Sequence, residues 1–157
     1  MIVIGIDPGL ATVGFGVIRA EENVITPVSY GCIRTSAEKQ TPQRLLDIYT
    51  EIIVLFEKYA PSVVAVERLF FNKNVTNAMS VSEARGVIFL AAQQKNIPVF
   101  EYTPLQVKQA ITGSGRADKK QMQEMIKRLL NLSEIPKPDD AADGLSIALC
   151  HINIMRY

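Results

Sequence analysis

An apolar run that stops on a carboxylate constrains this chain more than any other feature. The segment VVAVE at 63–67 is almost continuously β-branched and closes on Glu67. Such a run reads as a strand buried on both faces of a parallel or mixed sheet. The chain opens in a similar way, with MIVIGI followed by Asp7 and the turn residues Pro8-Gly9. A carboxylate among buried apolar residues is costly to desolvate unless it is paired, protonated or bound to a cation. Both acids must therefore emerge at an end of the sheet, where something can meet them.

The rest of the pattern supplies that sheet. Residues 1–6, 12–19 and 24–35 read as three strands joined by the DPGLAT turn and by Glu21-Glu22-Asn23, which makes a meander. Thr41 and Pro42 stand as N-cap and N1 of a helix that ends near Tyr59, before Pro61. The strand Val63–Val66 follows, then a helix from Val75 or Ser80 to Lys95, a short strand at Val99–Tyr102, and a helix opened by Thr103-Pro104. GSGRADKK at 113–120 reads as a flexible basic junction leading into the amphipathic MQEMIKRLLNL. Pro136 and Pro138 break that run, and Asp139 or Asp140 caps a final helix rich in alanine and leucine. The order βββαβαβααα predicts an α/β fold with a mixed five-stranded sheet and helices on both faces. A length of 157 residues suits one domain spanning 1–157.

Cys32 and Cys150 are far apart and form no metal or disulfide pattern, which fits a reducing compartment. With no secretory leader and no apolar run long enough for a membrane, a soluble cytoplasmic protein without membrane partners is expected. The near-neutral total charge hides an uneven distribution. Residues 68–128 carry ten basic and four acidic groups, whereas the segments on either side are net acidic. A basic middle beside a group of acids suits a polyanion led to a metal, although a solvated surface can look the same.

Asp140 and Asp143 are three residues apart, so a helix puts both on one face near its N-terminus. If the strands that end near Asp7 and Glu67 are neighbours, four carboxylates converge at one end of the sheet. Oxygen-only ligation fits Mg²⁺ or Mn²⁺, and two ions could serve phosphodiester hydrolysis. Each acid has an ordinary alternative: an Asx turn for Asp7, a helix cap for Asp140, an ion pair with Arg68 or Lys73 for Glu67. Asp143, inside AADGLSIA, is the hardest to explain structurally. Asp139 falls outside the set, since it does not share the face of Asp143. His151, eight residues further on, reads as structural. No GxGxxG opens a helix after the first strand, which excludes a dinucleotide site.

GIDPGLATVGFGVI at 5–18, VAVERLFF at 64–71, EYTPLQVKQAITGSGRADKKQM at 101–122 and PDDAADGLSIALCH at 138–151 resemble, in order and spacing, the motifs of the RuvC-type Holliday-junction resolvases. That resemblance spans essentially the whole chain and implies a ribonuclease-H-like fold. It implies a homodimer that nicks four-way junction DNA in symmetric pairs using divalent metal, leaving 5′-phosphate and 3′-hydroxyl ends. Motif by motif, it makes Asp7, Glu67, Asp140 and Asp143 the catalytic metal ligands. It also gives Lys119 a catalytic role beside them and makes Lys108 a second basic position. Phe70, with Phe71 beside it, becomes the aromatic directed at the junction, and Arg116 and Lys120 extend the DNA track. The bacterial branch-migration helicase complex is the implied partner.

Two other functions share parts of this pattern. A ribonuclease-H-like enzyme acting on RNA or an RNA:DNA hybrid would carry the same acids, with substrate choice lying in dimer geometry and the loop after Glu67. An actin-type ATPase needs two lobes, more than 157 residues supply. The helix over residues 80–95 bears VIFLAA at 87–92, more apolar surface than one sheet contact consumes, so it is the expected dimer contact.

Overall fold

The computed structural model describes residues 1–22, 24–68 and 75–155. Among these residues five strands form one sheet in the order β3-β2-β1-β4-β5. They are β1 (Ile2–Asp7), β2 (Thr12–Glu21), β3 (Val24–Arg34), β4 (Val63–Glu67) and β5 (Val99–Tyr102). The meander β1-β2-β3 is antiparallel, and β4 and β5 join it in parallel on the other side of β1. The helices are α1 (Thr41–Tyr59), α2 (Val75–Gln94), α3 (Pro104–Thr112), α4 (Lys119–Leu129) and α5 (Asp139–Met155). The sheet and helix order agree with the sequence pattern throughout.

Period-two alternation divides the core into two layers. Ile4, Ile6, Val64 and Val66 point to one face and pack against Ile48, Ile52 and Phe56 of α1 and Ala84, Ile88 and Ala91 of α2. Val3, Ile18 and Ala65 point to the other face and meet α5 through Leu145, Ala148 and Leu149, with α3 and α4 closing the flank through Val107, Ile111 and Ile126.

On that second face the sheet is paved with glycine. A side chain on Gly5, Gly14 or Gly16 would overlap the backbone of α5 at Gly144, Asp140 or Leu145 respectively, and one on Gly144 would overlap Phe15. α5 therefore lies with its backbone almost on the strands. It is buried along nearly its whole length, from Ala141 to Ile152 with only Asp143 partly open.

Three local expectations change. Helix α1 starts one residue early: Gln40 is the N-cap, and its N–H donates to Gln43 Oε1 at 3.1 Å, so Thr41 is already helical. The 113–120 segment is a tied turn, not a loose junction. Gly113 ends α3 with φ 74°, Ser114 N–H donates to Thr112 Oγ1 at 3.1 Å, and Asp118 caps α4 by accepting from Gln121 N–H at 2.8 Å. Lys119 and Lys120 are thus the first residues of a helix. Neither Asp139 nor Asp140 is a cap, since both lie inside the first turn of α5, where Ala141 N–H donates to Pro138 O at 2.9 Å.

Gly144→Ala is expected to destabilise the protein by about 1–3 kcal/mol, as overpacking against an unyielding neighbour does. Urea denaturation followed by circular dichroism measures it. An unchanged midpoint would show that α5 can lift without cost.

Candidate active site

The sheet alternation decides where the first two acids face. Asp7 has the parity of Val3 and Gly5, and Glu67 has that of Val63 and Ala65, so both belong to the α5 side. β1 and β4 are parallel neighbours with Ile6 opposite Val66, which brings the next residues, Asp7 and Glu67, to the same end of the sheet. From above, α5 contributes Asp140 and Asp143 on its sheet-facing side. One carboxylate oxygen from each of Asp7, Asp140 and Asp143 lies within 4.8 Å of the other two. Glu67 stands beside this trio and lines a cleft of about 170 Å³ with Asp143, Lys108 and Lys119.

Crowding and burial perturb these acids strongly. The Asp7 carboxyl is pushed up to about 8 by burial first and then by Glu67, Asp143 and Asp140, with Lys119 only partly offsetting them. Glu67 is pushed up to about 7 by burial and by Asp143, while Lys108 pulls it down. Asp143 is also raised, mainly by burial, and Lys119 opposes the shift. Without a cation the cluster cannot hold all its charges at neutral pH. Among the described residues the donors grouped here are hard carboxylate oxygens, and the Cys32 thiol, pushed up by burial and by Asp140, is not one of the group. This donor set fits a divalent cation of the Mg²⁺ or Mn²⁺ type and does not fit zinc.

Lys119 does not float over the site. Its Nζ is 2.9 Å from Asp139 Oδ2, and Gln123 Nε2 donates to Asp139 Oδ1 at 3.0 Å. Asp139, outside the acid cluster, thus aims the lysine that faces the cluster, and this bond raises the Lys119 pKa. Lys108 lines the same cleft. Arg116 does not join them: it borders a separate hollow with Gln121, Glu124 and Arg128. Lys120 is exposed and lines none of the clefts at the acids. Phe70 and Phe71 lie outside the described residues. His151 is buried at 2% exposure, with Nδ1 2.7 Å from the Tyr102 hydroxyl and its ring 4.9 Å from that of Phe100, so it packs β5 to α5.

The sequence reading missed two parts of the site. Gly14 underlies Asp140 directly, and the signal for it was present as small residues at alternate positions of β1 and β2. A second cleft beside Asp7 and Asp140 contains Arg44 and Ser80, which no short motif marks, because they come from two different helices.

An RNase-H-like mixed sheet with converging carboxylates at one end of its central strands defines a class of metal-dependent nucleases. Comparison with known proteins narrows it further. Residues 3–151 match the family model "Crossover junction endodeoxyribonuclease RuvC", and the chain belongs to that family. The RuvC of Desulfitobacterium hafniense is 56% identical over 151 residues, covering 96% of this chain and 92% of the relative. That of Brevibacillus brevis is 56% identical over 157 residues, covering 100% and 95%. Among solved structures, Thermus thermophilus RuvC in complex with Holliday junction substrate superposes with a TM-score of 0.94 at 34% identity, over 99% of this chain and 95% of that one.

The raised Asp7 carboxyl predicts a trade of stability against function. Between its unfolded value near 3.8 and its folded value of about 8, the native state keeps a proton that the unfolded chain has released. Metal-free stability therefore falls as pH rises through this window. Asp7→Asn is expected to raise the melting temperature in EDTA at pH 8 and to raise it less at pH 5, while abolishing stabilisation by Mg²⁺. Equal changes at the two pH values would mean that Asp7 is not protonated in the native metal-free state.

Proposed function

We propose that this chain is a structure-selective endodeoxyribonuclease that resolves Holliday junctions by paired symmetric nicks. The observation that carries this reading is the superposition of 99% of the chain on a RuvC holding its junction substrate. The acid cluster, where three of the four sequence-identified carboxylates meet within 4.8 Å, supports it independently.

Asp7, Glu67, Asp140 and Asp143 would hold Mg²⁺, with Mn²⁺ as a substitute and two ions in each site. When bound, the cations polarise the phosphate and ready water for attack on it. The residues of the chain do the rest. The backbone at Asp140 and Asp143 is set by the seat of α5 on glycine, and that at Asp7 and Glu67 by strand register, so the acids are gathered at one end of the sheet before a cation binds. Lys119, oriented by Asp139, presents its charge to the cleft where negative charge develops on the phosphate oxygens. Lys108 offsets Glu67 from the same cleft. Cleavage of the phosphorus–O3′ bond leaves a 5′-phosphate and a 3′-hydroxyl. Phe70 would stack on a base at the junction, with Phe71 beside it, and Arg116 and Lys120 would meet the DNA arms further out.

Paired nicking requires two sites, and α2 offers the contact. Its sheet-facing side is buried through Ala84, Ile88 and Ala91, yet Val75, Met79 and Leu90 are 71%, 61% and 55% exposed, in line with Gly86. Open space lies over Gly86, which suits close approach of a second α2 across a two-fold axis. Family membership suggests the bacterial branch-migration helicase complex as a partner. No helix among the described residues is long and apolar enough to cross a membrane; the proposed place of work, on DNA in the cytoplasm, follows from the junction substrate.

One assay tests the reading. A labelled four-way junction, a matched duplex and an RNA:DNA hybrid are incubated with the protein in EDTA, Mg²⁺, Mn²⁺ or Ca²⁺. Symmetric nicks confined to the junction, with Mg²⁺ or Mn²⁺ required and Ca²⁺ ineffective, are expected. Preferential cutting of the hybrid would assign the chain to RNA processing instead.

Asp7→Asn, Glu67→Gln, Asp140→Asn and Asp143→Asn should each slow nicking by at least about 100-fold while retaining junction binding. Near-normal nicking by any of them would remove that residue from the ligand set. Leu90→Glu should shift the protein to a monomer in sedimentation velocity and convert paired resolution into isolated nicks. A persistent dimer would place the contact on another face.

A further inference from the structure

The carboxylates separate two clefts. Glu67 and Asp143 border the one that holds Lys108 and Lys119, whereas Asp7 and Asp140 border another of about 390 Å³. The only cation among the described residues lining this second cleft is Arg44, from the first turn of α1. Among the described residues, the Arg44 side chain is anchored through a single nitrogen. Its Nε donates to Thr35 Oγ1 at 2.8 Å, Thr35 Oγ1 donates to Leu10 O at 2.6 Å, and Thr35 N–H donates to Ala11 O at 3.1 Å. The guanidinium is thus tied through Thr35 to the turn that leaves Asp7.

What Arg44 does not do is equally informative. Although two carboxylates line its cleft, it makes no ion pair with any described residue. Lys119 is the cation that offsets Asp7, and Arg44 has no such part. A half-buried guanidinium fixed by Nε keeps its two Nη groups as a preorganised fork, the geometry that grips the oxygens of a phosphate. A nucleic-acid strand crossing an acidic cluster also needs positive charge on both sides, because backbone phosphates approach carboxylates only against repulsion. Lys108 and Lys119 supply it in the cleft of Glu67 and Asp143, and neither lines the cleft of Asp7 and Asp140.

We propose that Arg44 binds a non-bridging oxygen of a DNA backbone phosphate next to the one cleaved, from the cleft bordered by Asp7 and Asp140. Thr35 sets its reach. The inference rests on the reading of the chain as a junction nuclease and adds a phosphate subsite to it. The other function open to Arg44 is purely structural, as a tie between α1 and the Asp7 turn.

Charge-neutral DNA separates the two. Junctions carrying one methylphosphonate at a time, at successive phosphates on either side of the nick, are assayed for binding in Ca²⁺ and for single-turnover nicking in Mg²⁺. The proteins are the wild type, Lys108→Ala, Arg44→Ala and Arg44→Gln, the last keeping a donor for Thr35 Oγ1 while removing the charge. For the wild type, neutralising one phosphate beside the nick should weaken binding by about tenfold, the scale of a charge-assisted hydrogen bond. Both Arg44 variants should bind the unmodified junction weakly by the same factor and be indifferent to that methylphosphonate, while Lys108→Ala remains sensitive to it. The slope of log affinity against log salt should also fall by about 1 per subunit in the Arg44 variants. If Arg44→Gln melts like the wild type and responds to every methylphosphonate as the wild type does, the subsite is refuted and Arg44 is only a tie. If the wild type fails to nick the unmodified junction, the nuclease reading itself fails and takes the subsite with it.

Discussion

Everything at the active end depends on how closely α5 sits on the sheet. Helices normally rest on a layer of side chains, which here would place Asp140 and Asp143 too far from Asp7 to share a cation. Gly5, Gly14 and Gly16 remove that layer from β1 and β2, and Gly144 removes it from the helix. Glycine in a strand forfeits packing and conformational entropy. Four of them facing one another amount to a cost in local stability that is recovered where backbone meets backbone. Leu145, Ala148 and Leu149 then complete the burial around the contact.

The same seat creates an electrostatic cost. Burial first, and then the neighbouring carboxylates, raise Asp7 to about 8 and Glu67 to about 7, so the metal-free fold carries an electrostatic penalty that it does not need for its architecture. Natural folds keep such strain where it serves function. A divalent cation held by these acids would convert that penalty into coordination, so that metal affinity and fold stability would rise together. Lys119 relieves the cluster only in part, and its tether to Asp139 keeps it beside the acids without collapsing onto them.

Much of this was legible in the sequence because it follows from period and punctuation. VVAVE announced a buried strand, Thr103-Pro104 a helix start, and the three-residue spacing of Asp140 and Asp143 a shared face, all of which the structure bears out. The errors lie where a side chain competes for a backbone group. Gln43 reaching back to Gln40 moved the start of α1, and Asp118 capping α4 turned an apparently loose basic junction into an ordered helix start. What could not be read was long-range juxtaposition. Arg44 and Ser80 border one cleft only because α1 and α2 pack on the same face of the sheet, and no local pattern encodes that.

Agreement with local preference also helps to sort the charged residues. Asp139 and Asp140 at the start of α5 suit the positive end of a helix, so their presence alone says little about function. Lys119 and Lys120 open α4, where the helix dipole disfavours cations and no acid stands in the first turn. Asp118 as the cap softens the conflict, and Asp139 softens it for Lys119 alone. A folding argument would place acids at these positions instead. For Lys119 the exchange is understandable once a polyanion must approach: positive charge lining the Glu67–Asp143 cleft is then worth more than the dipole it opposes. Asp143 and Asp7 show the same inversion, with charge placed where burial penalises it, so the residues that defy their local environment are those gathered around one point in space.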